Sequence, residues 1–146
     1  MVGISNLLLC RFFGILQQNL RYWCDQQLQS IHQRCVLAPG DCLLWTGGTS
    51  TANPNKYGRK MVNIPMLGIK RKVMYTHRLV YMCHNYDIGI LDKNNPLEVS
   101  HLCHNTLCAC PYHLVLETHE RNAERITCRM MGECTKGHSP ECIFSN

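Results

Sequence analysis

An α+β fold that relies on something besides a large apolar core is what this sequence predicts, on three observations. The 146 residues fit one domain, with room for a core but not a generous one. Eleven cysteines are many for that length, and five of them fall between Cys103 and Cys134 at short spacings, interleaved with histidines. Helix-like and strand-like stretches both occur, and a strand, a loop, a second strand and a helix follow one another over 97–127.

Residues 4–34 read as a helix. Leu7, Leu8, Phe12, Ile15 and Leu16 form an apolar stripe, which Leu20, Trp23 and Leu28 continue among glutamines. "LAPGD" (37–41) breaks that pattern. A short strand opens at Cys42 and gives way to a polar loop of Gly, Ser, Thr and Asn up to 58. Residues 59–75 suggest two strands around a Pro65–Gly68 turn. Lys60, Val62 and Ile64 alternate with Arg59, Met61 and Asn63, which gives the first of these strands two chemically different faces. "THRLVYMCHN" (76–85) reads as a helix with Thr76 as N-cap, and 85–96 as a loop. "LEVSHL" (97–102) and "HLVLE" (113–117) are strands, and Thr118 caps a helix over 119–127. The tail, 128–142, has no strong periodicity. The expected organisation is an N-terminal helical segment (1–41), a basic β-sheet region (42–96) and a Cys/His-rich segment with the tail (97–146), within one compact domain.

The formal net charge is +5, and its distribution says more than its total. No Asp or Glu occurs from Cys42 to Tyr86, a stretch that holds Lys56, Arg59, Lys60, Lys70, Arg71, Lys72 and Arg78. A surface of one sign attracts phosphate polymers, so the run points to nucleic acid rather than to an ordinary solvated face. Mean hydropathy is -0.18, and no apolar run approaches the ~20 residues of a membrane span. No membrane partner is expected. The apolar opening "MVGISNLLLCRFFGIL" lacks a basic flank and holds Arg11 within it, which favours a buried helix over a secretory signal.

A disulfide framework uses cysteines in pairs, but here the count is odd, and histidine has no part in such a framework. Zinc accounts for both residue types and implies a reducing, intracellular compartment. Cys128, Cys134, His138 and Cys142 supply four ligands at close spacings, the makings of a closed structural site whose metal supplies the folding energy the tail lacks. Cys103, Cys108 and His113 supply three more, and their fourth partner must come from elsewhere. Cys42 is favoured because it starts the strand that enters the basic region; Cys35 and Cys110 are the rivals. Cys10, Cys24 and Cys83 sit among apolar neighbours and read as small buried hydrophobes.

Two residues are left over with chemistry of their own. His101 ends the strand "LEVSH", and Asn122 lies one turn into the following helix. A neutral imidazole can take a proton from water, and a carboxamide oxygen is a hard ligand suited to Mg²⁺. Together they can carry metal-assisted phosphodiester hydrolysis. Spacing alone favours a capping role for His101 and an exposed helix face for Asn122.

"SHLCHNTLCACPYHL", then "ERNAER", then the Cys-x5-Cys-x3-His-x3-Cys tail resembles the His-Cys box homing endonucleases of the ββα-metal (HNH-like) nuclease superfamily. The resemblance covers roughly residues 42–142, and "YGRKMVN" through "YTHRLVYMCHN" is also similar to the strand–strand–helix part of phage-type HNH nucleases. It implies a zinc-stabilised ββα-metal fold with little conventional core, in which an antiparallel β-sheet carrying the basic strands 56–75 reads double-stranded DNA. It implies His101 as general base and Asn122 as the protein ligand of one catalytic Mg²⁺. It also implies two structural zinc ions, one on Cys42, Cys103, Cys108 and His113, the other on Cys128, Cys134, His138 and Cys142. An arginine against the scissile phosphate is part of the pattern, with Arg71 the expected residue and Arg59 and Arg78 the alternatives. The family's best-known member has a long C-terminal arm that embraces its partner subunit; with four residues after Cys142 in this sequence, dimerisation by that route is not expected. The expected activity is sequence-specific DNA cleavage of the homing type, by a homodimer that cuts both strands or a monomer that nicks one, in the nucleus or another DNA-containing compartment. A zinc-stabilised DNA-binding regulator without catalysis and a less specific HNH-type nuclease are the alternative readings.

Overall fold

A computed structural model describes residues 5–51 and 56–144, with side chains described from Phe13 onward. The side chains of Leu7, Leu8, Cys10 and Phe12, and the middle of the polar loop, lie outside the described residues. The chain is α+β. Helix α1 (Ser5–His32) leads into β1 (Cys35–Ala38) and β2 (Cys42–Trp45); β3 (Arg59–Ile64) and β4 (Ile69–Tyr75) lead into α2 (Thr76–Asn85); β5 (Leu97–His101) and β6 (Leu114–Thr118) lead into α3 (His119–Met131). The strands form three two-stranded antiparallel sheets: β1–β2, β3–β4 and β5–β6. No helix among the described residues is long and apolar enough to cross a membrane.

The apolar core gathers around α2. Leu79, Val80, Met82 and Cys83 face inward and meet Cys24 and Ile31 of α1, Ile64 and Met74 of the β3–β4 ribbon, and Val99 and Leu114 of β5–β6. Cys24 and Cys83 are fully buried within it, as small apolar residues would be. Among the described side chains of α1, those of its second half join this core. Leu20, Trp23, Leu28 and Ile31 pack at helical spacing, whereas Phe13 and Ile15 are exposed, so the expected buried stripe holds from Leu20 onward and fails at Ile15.

Strand β1 is an element that the sequence reading missed. Its residues follow the helix directly, and their apolar side chains carry no helix-or-strand period of their own; pairing with β2, Cys35 opposite Trp45 and Ala38 opposite Cys42, decides the matter. That pairing also spans the expected boundary at 41. Trp45 closes over Gly58, where a Cβ would stand 2.6 Å from the indole, so only glycine fits beneath the ring.

The two-faced reading of β3 holds. Val62 and Ile64 are buried, while Arg59, Met61 and Asn63 are exposed. The hairpin turns through Gly68 at φ 66, and β4 carries an irregularity at Arg71, which takes φ 50. Two capping expectations separate here. Thr118 caps α3, its hydroxyl accepting from the Arg121 amide at 3.3 Å. Tyr75, not Thr76, is the N-cap of α2, and Thr76 is the first helical residue, with a buried hydroxyl. Helix α3 also runs four residues beyond the expected end, to a left-handed Gly132, which places Cys128 on the helix itself.

Candidate active site and metal centres

The first cluster forms where the loop after β5 lies along β2. Trp45 donates its amide to Leu107 O at 2.9 Å, and Ala109 donates to Leu43 O at 2.7 Å, so residues 107–109 act as a third strand beside β2. This brings Cys42 to Cys103, Cys108 and His113, with all four ligand atoms within 4.8 Å of one another. His113 Nδ1 lies 3.6 Å from the Cys42 sulfur and 3.5 Å from the Cys108 sulfur. A tetrahedron with zinc–sulfur bonds of about 2.3 Å and zinc–nitrogen bonds of about 2.0–2.1 Å has N···S edges of about 3.6 Å. The residues therefore fit the ion. Burial, and then the Cys108 sulfur beside it, push the Cys42 thiol up to about 11, so gathering these thiolates calls for a cation. Of the rival ligands, Cys110 is buried beside the cluster and Cys35 stands on β1; neither belongs to the four-atom group.

The second cluster is local. Cys128 on α3 meets Cys134, His138 and Cys142 from the tail, again within 4.8 Å. His138 Nδ1 is 3.6, 3.5 and 3.7 Å from the three sulfurs in turn, the same tetrahedral edge. Its other nitrogen faces Glu124 Oε2 at 3.3 Å, the carboxylate–histidine arrangement that fixes a metal-ligating ring. The Cys/His donor sets suggest two zinc sites.

Between the clusters lies a cavity of about 350 Å³, lined among others by Tyr57, His77, Arg78, Glu98, His101 and Asn122. His101 comes from the end of β5 and Asn122 from the second turn of α3, so the antiparallel β5–β6 pair and its helix bring them to one space. His101 is 9% exposed, and its Nε2 donates to the Cys108 carbonyl at 3.2 Å. A carbonyl only accepts, so Nε2 carries the proton and Nδ1 keeps the lone pair. Burial pushes the imidazole down to about 4 against the opposing effect of that hydrogen bond, which keeps the ring neutral near physiological pH. The His77 ring sits 4.7 Å from the His101 ring, and burial, followed by His101 and Arg78, holds His77 well below its ordinary range. Asn122 Nδ2 donates to Glu98 Oε2 at 2.8 Å, which leaves its carbonyl oxygen available.

The basic residues divide. Lys56, Arg59, Lys70 and Arg71 are exposed. Lys60 lies on the inward face with Val62 and Ile64, donates to Ser30 of α1 at 3.2 Å, and is lowered in pKa by burial and by Arg34; it is not part of the exposed charge. Lys72, cross-strand from Val62, is half-buried on that same face. Arg71 does not line the cavity, and Arg78 does, its guanidinium donating to Ile90 O at 2.9 Å.

Two residues that matter here were not singled out from the sequence. Arg125 is 1% exposed and pairs with Glu117 through Nε–Oε1 at 2.8 Å and Nη2–Oε2 at 3.0 Å. It also donates to Pro140 O at 3.0 Å and to the Cys142 sulfur at 3.4 Å. Glu117 in turn accepts from the Ser100 hydroxyl, next to His101. The tail is thus tied to the strand that ends in His101, and Ile143 reinforces the tie by donating to Leu102 O at 2.8 Å. A sequence signal was present only in Arg125 falling one turn after Asn122 on an otherwise polar helix. No curated protein and no solved structure matches the chain. The model of the zinc-binding loop region of homing endonucleases matches residues 41–146, most of the chain, and the chain belongs to that family.

Proposed function

We propose that this chain is a DNA endonuclease that hydrolyses phosphodiester bonds, with His101 as general base and Asn122 as the ligand of one Mg²⁺. The observation that carries the reading is that His101 and Asn122, from separate elements, line one cavity whose walls are tied to two Cys/His clusters. His101 has the needed protonation pattern: Nε2 is tied to Cys108 O, and Nδ1 is free to take a proton from water. Arg78, lining the same cavity, is suited to hold a phosphate oxygen and takes the role expected of Arg71. Mg²⁺, when bound at Asn122, supplies Lewis-acid stabilisation of the leaving oxygen. Zinc in the two clusters builds the walls, and thiolate ligation suits a reducing, DNA-containing compartment.

The DNA-facing surface is the outer face of β3–β4, where Arg59, Met61 and Asn63 stand exposed beside Lys70 and Arg71. A two-stranded ribbon fits a major groove, and cations at its margins reach the flanking phosphates. Cleavage of the homing type, at few and long sites, is the specificity this face would serve.

The test is incubation of supercoiled plasmid with Mg²⁺ and the zinc-loaded protein. Wild type is expected to cut, giving nicked circles if it acts as a monomer and linear product if as a homodimer. His101→Ala and Asn122→Ala are each expected to lower the rate by at least about 10²-fold, the lower end of a general base's contribution, while DNA affinity persists. Wild-type binding without cleavage would make the chain a DNA-binding regulator, and unchanged cleavage by His101→Ala would remove the assigned base.

A further inference from the structure

We infer that Glu98 is a positioning residue whose carboxylate decides which end of the Asn122 carboxamide faces the cavity. The inference rests on the proposed role of Asn122 as a Mg²⁺ ligand. A carboxamide has two nearly isosteric ends with opposite preferences: the oxygen attracts a cation, and the NH₂ repels one. Rotation about one bond exchanges them, so an asparagine that serves a metal needs something to break the symmetry.

Glu98 supplies that bias. Its Oε2 stands 2.8 Å from Asn122 Nδ2, and its Oε1 stands 3.0 Å from His119 Nδ1. An ionised carboxylate can only accept, so the atom turned toward it must be the NH₂, and the Asn122 oxygen is left for a cation. The placement follows from the register. Glu98 pairs with Glu117 and Leu97 with Thr118, so Glu98 stands beside the junction where β6 becomes α3. His119 and Asn122, three residues apart, share a helix face there. One strand thus delivers the orienting carboxylate at Glu98 and the imidazole at His101 to the same cavity. Outer partners of this kind act on a metal through its ligand rather than by touching it.

The test is a Mn²⁺ titration of the zinc-loaded, isotope-labelled full chain, read as paramagnetic broadening of the Asn122 amide resonances. Glu98→Ala, and Glu98→Leu as a second variant compatible with the strand, are expected to raise the Mn²⁺ midpoint about 10–100-fold. Both are expected to keep two zinc ions per chain. Glu98→Gln can offer Oε1 to Asn122 and its NH₂ to His119, so it is expected to stay within about threefold of wild type, since the acceptor survives while the charge is lost. A wild-type midpoint in Glu98→Ala and Glu98→Leu, with binding lost in Asn122→Ala, overturns the inference and leaves the Asn122 assignment standing. Glu98→Gln as damaging as Glu98→Ala also overturns it, because it makes the carboxylate a direct ligand. Unchanged Mn²⁺ binding in Asn122→Ala would instead end the parent reading.

Discussion

The two Cys/His clusters share a ligand set, three cysteines and a histidine, but they solve different problems. The first draws Cys42 from β2 to a loop some sixty residues later in the chain and to His113. Cys42 and Cys108 belong to a buried apolar group of their own with Cys110, Leu43 and Leu44, and the Cys108 carbonyl accepts the hydrogen bond that sets the His101 tautomer. The second gathers residues 128–142, a short segment largely without strand or helix after Gly132, and reaches the rest of the molecule through Arg125 and the Ile143–Leu102 bond. One cluster closes the fold around the site; the other stiffens a tail and props the site from outside. Identical chemistry thus has unequal structural consequences, decided by how much chain each cluster closes and what lies beside it.

The largest effect that separates them is loss of a ligand. Structural zinc contributes roughly 10–16 kcal/mol of apparent binding energy in small domains, as much as the ~5–15 kcal/mol stability of a whole domain. Cys108→Ser is therefore expected to abolish the cooperative thermal transition. Cys134→Ser is expected to keep one zinc and a cooperative transition at lower temperature. Equal outcomes for the pair, read by calorimetry and zinc analysis, would erase the distinction.

A smaller effect tests the link between the clusters. Arg125→Met leaves Glu117 buried without its guanidinium partner, a loss of about 3–5 kcal/mol by comparison with other broken buried pairs. Denaturant unfolding in the presence of zinc measures it. A loss below about 1 kcal/mol would show that the Arg125–Glu117 link does not hold the tail. The smallest effect is confined to the second cluster: Glu124→Gln weakens the partner of His138 and is expected to lower zinc affinity there about tenfold to a hundredfold, with the first cluster unchanged. Competition with a chromophoric chelator resolves the two sites.

What the sequence disclosed follows the same division. The second cluster was legible from spacing, because all its ligands are near neighbours in the chain. The first was legible for three ligands, and Cys42 was favoured as the fourth over Cys35 and Cys110 from its place at the start of a strand; the contact that brings it there, the loop pairing with β2, joins segments far apart in sequence and was not legible. Hairpin β3–β4, helix α2 and the β5–β6–α3 unit were readable from alternation and turn residues. Strand β1 was not, since tertiary pairing decides it, and although the alternation put Lys60 on the face of Val62 and Ile64, its partner Ser30 on α1 was not readable. The Arg125–Glu117 pair was invisible for the same reason: charge in a sequence carries no sign of burial. Arg71 was the expected phosphate-facing arginine, with Arg59 and Arg78 as alternatives; Arg78 lines the cavity and Arg71 does not, a difference that depends on how α2 packs and not on local sequence.

The central proposal is a division of labour, with zinc in the clusters as structure and a separate ion at Asn122 as part of the chemistry. Brief EDTA treatment followed by elemental analysis and plasmid cleavage tests it most directly. The expected result is two zinc ions retained per chain, no cleavage in EDTA, and full recovery on adding Mg²⁺ alone. Recovery that requires zinc, or cleavage that persists with no free divalent ion, would contradict it.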